Sequence, residues 1–173
     1  MSAVAWIRHR GALLLTTALI VFIVDQMSKN FALSHLGPGA QADSLPILGT
    51  YLRLEYVTNS GAAFGLLQDR TLFFSIIAFV AIPILLVFYN SIPKESLIPR
   101  LCIGLLLGGT VGNLADRVRF GFVIDFISAG IGHLRWPTFN VADSAFVIGV
   151  LILAFHLIMN TEKGGEKSAT SER

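Results

Sequence analysis

The stretch FNVADSAFVIGVLILAFHLIMN, Phe139 to Asn160, decides the fold. From Ser144 to Asn160 it carries no formal charge, with His156 counted neutral. A helix needs about 20 residues to cross roughly 30 Å of hydrocarbon, so this run spans a bilayer once its polar ends are included. Yet Asp143 stands at its head. A carboxylate at a helix start is an ordinary cap, favoured by the positive end of the helix dipole, and capping is the leading reading of Asp143 taken alone.

Three further uncharged apolar runs accompany it: Gly11 to Val24, continuing through VDQMSKNFAL; Thr71 to Pro93; and Leu101 to Ala115. Across 173 residues the chain is 54% hydrophobic and only 14% charged, with a mean hydropathy of +0.70. A soluble domain carries roughly a quarter charged residues, and the deficit is explained if much of the surface faces lipid. The expected fold is a membrane protein, mainly α: a four-transmembrane-helix bundle with a small extracytoplasmic β element. One domain over about 1–162 is expected, with spans near 11–33, 71–91, 98–117 and 141–160. The first and third runs reach full length only if their polar ends belong to the helices. The basic start RHRGALLLTTALIVFIV could also open a signal peptide. The helical pattern runs on past Asp25 and Lys29 with no convincing cleavage site, which favours an uncleaved span.

Basic residues in short flanks set the orientation. Arg8 and Arg10 precede the first span, Lys94 and Arg100 lie between the second and third, and Lys163 and Lys167 follow the fourth. With four spans all three flanks fall on one side, the cytoplasm, so both termini are cytoplasmic. Trp6 and Trp136 then sit in opposite interfacial belts. The tail, about 163–173, is polar and expected to be disordered. Two longer connections, roughly 34–70 and 118–140, fall outside. The first contains YLRLEYVTN, Tyr51 to Asn59, in which Leu52, Leu54 and Tyr56 alternate with Arg53 and Glu55. That is the pattern of a half-buried strand, and it places the β element at about 44–67.

This topology sends polar groups from separate segments to one membrane face. Asp25 and Lys29 lie at the outer end of the first span; Asn113, Asp116 and Arg117 at the outer end of the third. Asn140 and Asp143 open the fourth, Asp125 follows the third on the same side, and Asn59 belongs to the outer loop. Asp25 and Lys29, at i and i+4, read first as a structural pair. Asp116 and Arg117 are neighbours in sequence and cannot face each other on a helix, so each needs another partner or ends the span at the headgroups. Asp125 has no such local explanation, because Phe122, Val123, Ile124, Phe126 and Ile127 surround it. A buried carboxylate needs a proton, a cation or a second group that uses it. Asp143 lies 18 positions on, and Gly130, Gly132 and Pro137 can bend the chain back. Two carboxylates brought together share one proton, so that one acts as base towards water and the other as acid towards a carbonyl oxygen.

Net charge of +2 and the absence of a basic stripe interleaved with aromatics argue against nucleic acid. Cys102 is the only cysteine and the histidines show no ligand spacing, so no metal is expected, and acid–base chemistry by two carboxylates needs no organic cofactor. Gly104, Gly108 and Gly112 recur every four residues and allow close helix approach. Packing within one bundle is the economical reading of that face, and a monomer is expected. The alternative function is a small proton- or ion-coupled transporter, although such sites usually lie near the midplane at a repeat interface.

Five motifs, DQMSK (25–29), NSGAAF (59–64), GNLADR (112–117), VIDF (123–126) and FNVADS (139–144), resemble those of bacterial lipoprotein signal peptidase, in order and over most of the chain. The resemblance implies an aspartic endopeptidase of the bacterial inner membrane with its site near the periplasmic face. Such enzymes cut prolipoproteins before a cysteine that carries diacylglycerol, and membrane lipid is their medium. It implies that Asp125 and Asp143 form the catalytic pair. Asn113, Arg117 and Asn140 would line the site, with Arg117 holding substrate carbonyls. Asn59 and Gly61 would belong to a β cradle, and Asp25, Lys29 and Asp116 would support the whole.

Overall fold

The computed structural model describes the backbone of residues 3–61, 67–93 and 96–171 and the side chains of residues 11–61, 67–93 and 96–160. Ala62 to Phe64 of the NSGAAF motif, Lys94, and the side chains of Trp6, Arg8, Arg10, Lys163 and Lys167 lie outside the described residues. The chain forms α1 (Ala3–Leu36), β1 (Ser44–Leu48), β2 (Leu52–Asn59), α2 (Thr71–Ser91), α3 (Leu97–Phe120), β3 (Val123–Ile131), β4 (Leu134–Arg135) and α4 (Val141–Ser171). Four of these helices contain segments long and apolar enough to cross a membrane: Gly11–Leu36, Thr71–Ser91, Leu97–Phe120 and Val141–Asn160.

The polar ends of the first and third runs are thus helical, as full-length spans require. Asp25 and Lys29 sit inside α1, while Asn113, Asp116 and Arg117 sit inside α3. Gly121 stops α3: at φ 81° it takes the left-handed conformation and donates its N–H to the Arg117 carbonyl. The tail differs from the sequence expectation, since α4 continues as helix to Ser171. Extending an existing helix avoids the cost of nucleating one, so even a polar segment can prolong it.

α3 is the inner helix. More than half of its apolar window is buried (56%), against 6% for α2, whose Leu72, Phe79, Val87 and other apolar side chains face outward. The glycine face explains how neighbours come so close. A Cβ on Gly104 would meet the Thr17 side chain at 2.7 Å, and one on Gly108 would lie 2.7 Å from the Ala18 carbonyl oxygen. One on Gly112 would lie 2.6 Å from Oδ2 of Asp25. The stripe therefore serves packing against α1 within the bundle, and at Gly112 it makes room for a carboxylate.

The β element is larger than the alternating stretch alone suggests. β1, β2, β3 and β4 form one antiparallel sheet in that order. β2 pairs with β3 so that Val57 opposes Asp125 and Asn59 opposes Val123. Beyond β4 the chain returns: Ile127 and Phe139 exchange backbone hydrogen bonds of 2.8 and 3.1 Å. That exchange sets the first residue of the α4 entry, Asn140, beside Asp125.

Candidate active site

Two elements deliver the two candidate carboxylates. Asp125 comes from β3, Asp143 from the first turn of α4, and Asn140 bridges them. Its Nδ2 donates to Oδ1 of Asp125 at 2.7 Å, and its backbone N–H donates to Oδ2 of Asp143 at 3.1 Å. In return the Asp143 N–H donates to Oδ1 of Asn140 at 2.9 Å. Asn140 and Asp143 are therefore the reciprocal pair of a capping box, which satisfies two helix-start donors at once. The ordinary reading of Asp143 is correct, and it is only half of the geometry.

The remaining acceptor positions are filled from other segments. Asn59 Nδ2 donates to Oδ2 of Asp125 at 3.0 Å, across the β2–β3 diagonal. Asn113 Nδ2 donates to Oδ1 of Asp143 at 2.7 Å. The Gly61 N–H donates to Oδ1 of Asn59 at 3.0 Å, fixing the Asn59 amide. Arg117 reaches over this group, its Nη2 donating to the Gly61 carbonyl at 3.4 Å and its guanidinium lying 5.6 Å from the Phe74 ring centre. Its Nε is buried and finds no hydrogen-bond partner among the described residues.

Behind the pair lies a buried ion cluster. Lys29 Nζ contacts Oδ2 of Asp25 and Oδ2 of Asp116, both at 2.9 Å, and donates to Oδ1 of Asn113 at 2.8 Å. Lys29, Asp25 and Asp116 are all 1% exposed or less. Asp25 and Lys29 do pair along α1, but Asp116 joins them from α3, so the arrangement ties two helices together. It reaches further still: Asp25 accepts the Ala142 N–H at 2.9 Å and Asp116 accepts the Ile124 N–H at 3.1 Å. Asp116 does not end its span at the headgroups. Gln26, which the motif reading left without a role, donates to Asp116 at 2.9 Å and to Asp25 at 3.2 Å. Its place beside Asp25 in DQMSK was the only signal for it.

Asp125 and Asp143 open onto a cavity of about 890 Å³. Asn59, Gly61, Asn113 and Arg117 line its polar end, and Phe74, Ile77, Ala81, Phe146 and Val147 its apolar remainder. The volume lies within the range of roughly 300–1,000 Å³ typical of ligand sites. Trp136 and Thr138 also line it, which the sequence does not announce. The segment carrying them is pinned to the sheet by Arg135, which donates to Ser128 Oγ at 2.9 Å and to the Thr50 carbonyl at 3.1 Å, and by Thr138, which donates to Glu55 at 3.2 Å.

Burial and then the neighbouring Asp143 charge push the Asp125 carboxyl up from 3.8 to about 7, against the opposing hydrogen bonds of Asn59 and Asn140. The folded protein consequently binds more protons than the unfolded chain between those two values. Stability from this source is highest at low pH, declines as pH rises from near 4 to near 7, and is flat above. Thermal midpoints taken in detergent from about pH 4 to about pH 8 are expected to fall more steeply for the native protein than for Asp125→Asn. Parallel curves for the two proteins would contradict the buried, partly protonated Asp125.

Residues 17–159 match the family described as Signal peptidase (SPase) II. A protein named "Lipoprotein signal peptidase" from Moorella thermoacetica is 42% identical over 154 residues, covering 88% of this chain and 97% of that one. One of the same name from Syntrophus aciditrophicus is 38% identical over 161 residues, covering 90% and 96%. A solved structure described as a bacterial membrane enzyme superposes with a TM-score of 0.77 at 32% identity, over 87% of this chain and 90% of that one.

Proposed function

Because the chain belongs to the signal peptidase II family, we propose that it removes signal peptides from diacylglyceryl-modified prolipoproteins, with Asp125 and Asp143 as its catalytic pair. The observation that carries this reading is the sharing of Asn140 by two carboxylates on the wall of one cavity. A pair holding one proton suffices for peptide hydrolysis. The ionised member takes a proton from water as its oxygen attacks the scissile carbonyl carbon. The protonated member gives its proton to the carbonyl oxygen, forming a tetrahedral diol. Collapse then reverses both transfers. The first carboxyl protonates the departing nitrogen, the second recovers a proton from a diol hydroxyl, and the C–N bond breaks.

The surroundings suit such a substrate. Arg117 lines the cavity and its Nε finds no hydrogen-bond partner among the described residues, so it can donate to a substrate carbonyl. Asn59 and Gly61 hold the β side of the cavity, while its apolar walls from α2 and α4 can accept acyl chain or apolar peptide. We assign the protein to the bacterial cytoplasmic membrane as a monomer, with both termini inside and the site at the outer face. There water and a lipid-anchored bond can meet. Asp25, Lys29 and Asp116 act as supports rather than reactants. The transporter alternative gains nothing from the family assignment.

Purified protein in liposomes is expected to release the signal peptide from a precursor whose cysteine carries diacylglycerol. The unmodified precursor should be cut at least about tenfold more slowly, because binding energy from the acyl chains is lost. Equal rates on the two precursors would defeat the lipoprotein assignment, and no release from either would defeat the peptidase reading.

A further inference from the structure

The chemistry above needs one aspartate charged and the other protonated, and the two start out looking equivalent. Each carboxylate oxygen receives one hydrogen-bond donor: Asp125 from Asn59 and Asn140, Asp143 from Asn113 and the Asn140 backbone. What distinguishes them is where those donors are anchored. Three asparagine amides surround the pair, and a group that can only donate fixes the orientation of each. The Gly61 N–H claims Oδ1 of Asn59, the Asp143 N–H claims Oδ1 of Asn140, and the Lys29 ammonium claims Oδ1 of Asn113. Lys29 cannot accept a hydrogen bond, so Asn113 must turn its NH2 towards Asp143.

We propose that Lys29, acting through Asn113, holds Asp143 as the charged member of the pair, so that Asp143 is the base towards water and Asp125 carries the proton given to the carbonyl oxygen. The proposal rests on the reading of the two aspartates as a catalytic pair. Lys29 and Asn113 are positioning residues in it.

Three features point the same way. The Asn113 amide is polarised by an ammonium 2.8 Å from its oxygen, which strengthens its NH2 as a donor to Asp143. Asp143 stands in the first turn of α4 and accepts a backbone N–H at the helix start, where the dipole favours an anion. Asp125 lies on a strand, 3% exposed, and receives only neutral side-chain amides. The other charged groups around the pair do not upset this asymmetry. Asp25 and Asp116 are paired with Lys29 itself. Arg117 lines the shared cavity rather than bonding to one carboxylate.

Lys29 is a poor residue to vary, since its loss leaves two buried carboxylates uncompensated. Asn113→Ala leaves Lys29 both of its carboxylate partners; Asn140 Nδ2 loses its 3.1 Å bond to Oδ1 of Asn113 but keeps those to Asp125 and the Ile124 carbonyl. Asn59→Ala touches only Asp125 of the pair. In the pH profile of kcat/KM on the lipidated precursor, Asn113→Ala is expected to move the acidic limb up by about one unit. Asn59→Ala is expected to move the alkaline limb up by a similar amount. The limbs belong to the coupled pair, so a readout on the resting protein separates the members.

That readout is the infrared difference spectrum between about pH 6 and about pH 8, in which a protonated carboxyl shows its carbonyl band. The band is expected to shift in Asn59→Ala, which loses a hydrogen bond to Asp125, and to stay in place in Asn113→Ala. The reverse pattern assigns the proton to Asp143 and overturns the proposal, as does a pH profile in which neither variant moves its limb. Failure of the pair itself would look different: cleavage would survive replacement of either aspartate.

Discussion

Replacing Asp125 or Asp143 by asparagine is expected to lower cleavage at least about a thousandfold while the helix bundle stays folded. A large effect is expected because the two carboxyls of the proposed pair would act as a unit: an amide neither takes a proton from water nor returns one. Folding survives for reasons visible in the site. An asparagine at 143 can still offer its oxygen to the Asn140 N–H, so the cap persists while the hydrogen bond from Asn113 is lost. An asparagine at 125 turns its NH2 towards one of two donors, Asn59 or Asn140, and forfeits about one hydrogen bond, worth roughly 1 kcal/mol. The ion cluster around Lys29 is untouched in either case. The experiment measures signal-peptide release beside a thermal midpoint in the same detergent. Near-native cleavage by either folded variant would exclude the pair as the catalytic centre.

The largest stability effect is expected at Lys29. Lys29→Met leaves Asp25 and Asp116, both 1% exposed or less, facing one another without the ammonium that neutralises them. Breaking a buried ion pair by removing one partner costs about 3–5 kcal/mol, a large part of a typical total stability of about 5–15 kcal/mol. Because the two carboxylates also accept the N–H groups of Ala142 and Ile124, their repulsion disturbs the entries to α4 and β3 together. The folded fraction recovered in detergent should drop sharply, and cleavage should drop with it. Adding Asp25→Asn and Asp116→Asn to Lys29→Met removes both stranded charges and should restore much of the folded fraction. A Lys29→Met protein as stable as the native one would show that the cluster is not held by charge.

Much of this was legible in the sequence, and the legible parts share a cause. Four apolar runs with few charges announce four spans because hydrocarbon admits little else, and the alternation of Leu52, Leu54 and Tyr56 announces β2 because one face of that strand is buried. Asp125 announced itself by its misfit, a carboxylate inside VIDF with no local partner. Other features did not show. β3 is buried along most of its length and lacks alternation, so an apolar run after a helix could not be told from more helix. The capping role of Asp143 was visible within FNVADS, whereas its bond to Asn113, 30 positions away, was not.

The sequence by itself determined that the chain crosses a membrane four times and that its polar residues collect at one depth, because hydrophobicity and span parity act along the chain. Only the tertiary structure decided which polar groups meet. Hydrogen bonds are short and directional, so the linkage of Lys29 through Asn113 to Asp143, and of Asn59 and Asn140 to Asp125, depends on α3 approaching α1 over its glycines and on Phe139 pairing with Ile127. A sequence can bring two aspartates to the same membrane face. Making them different from one another took the fold.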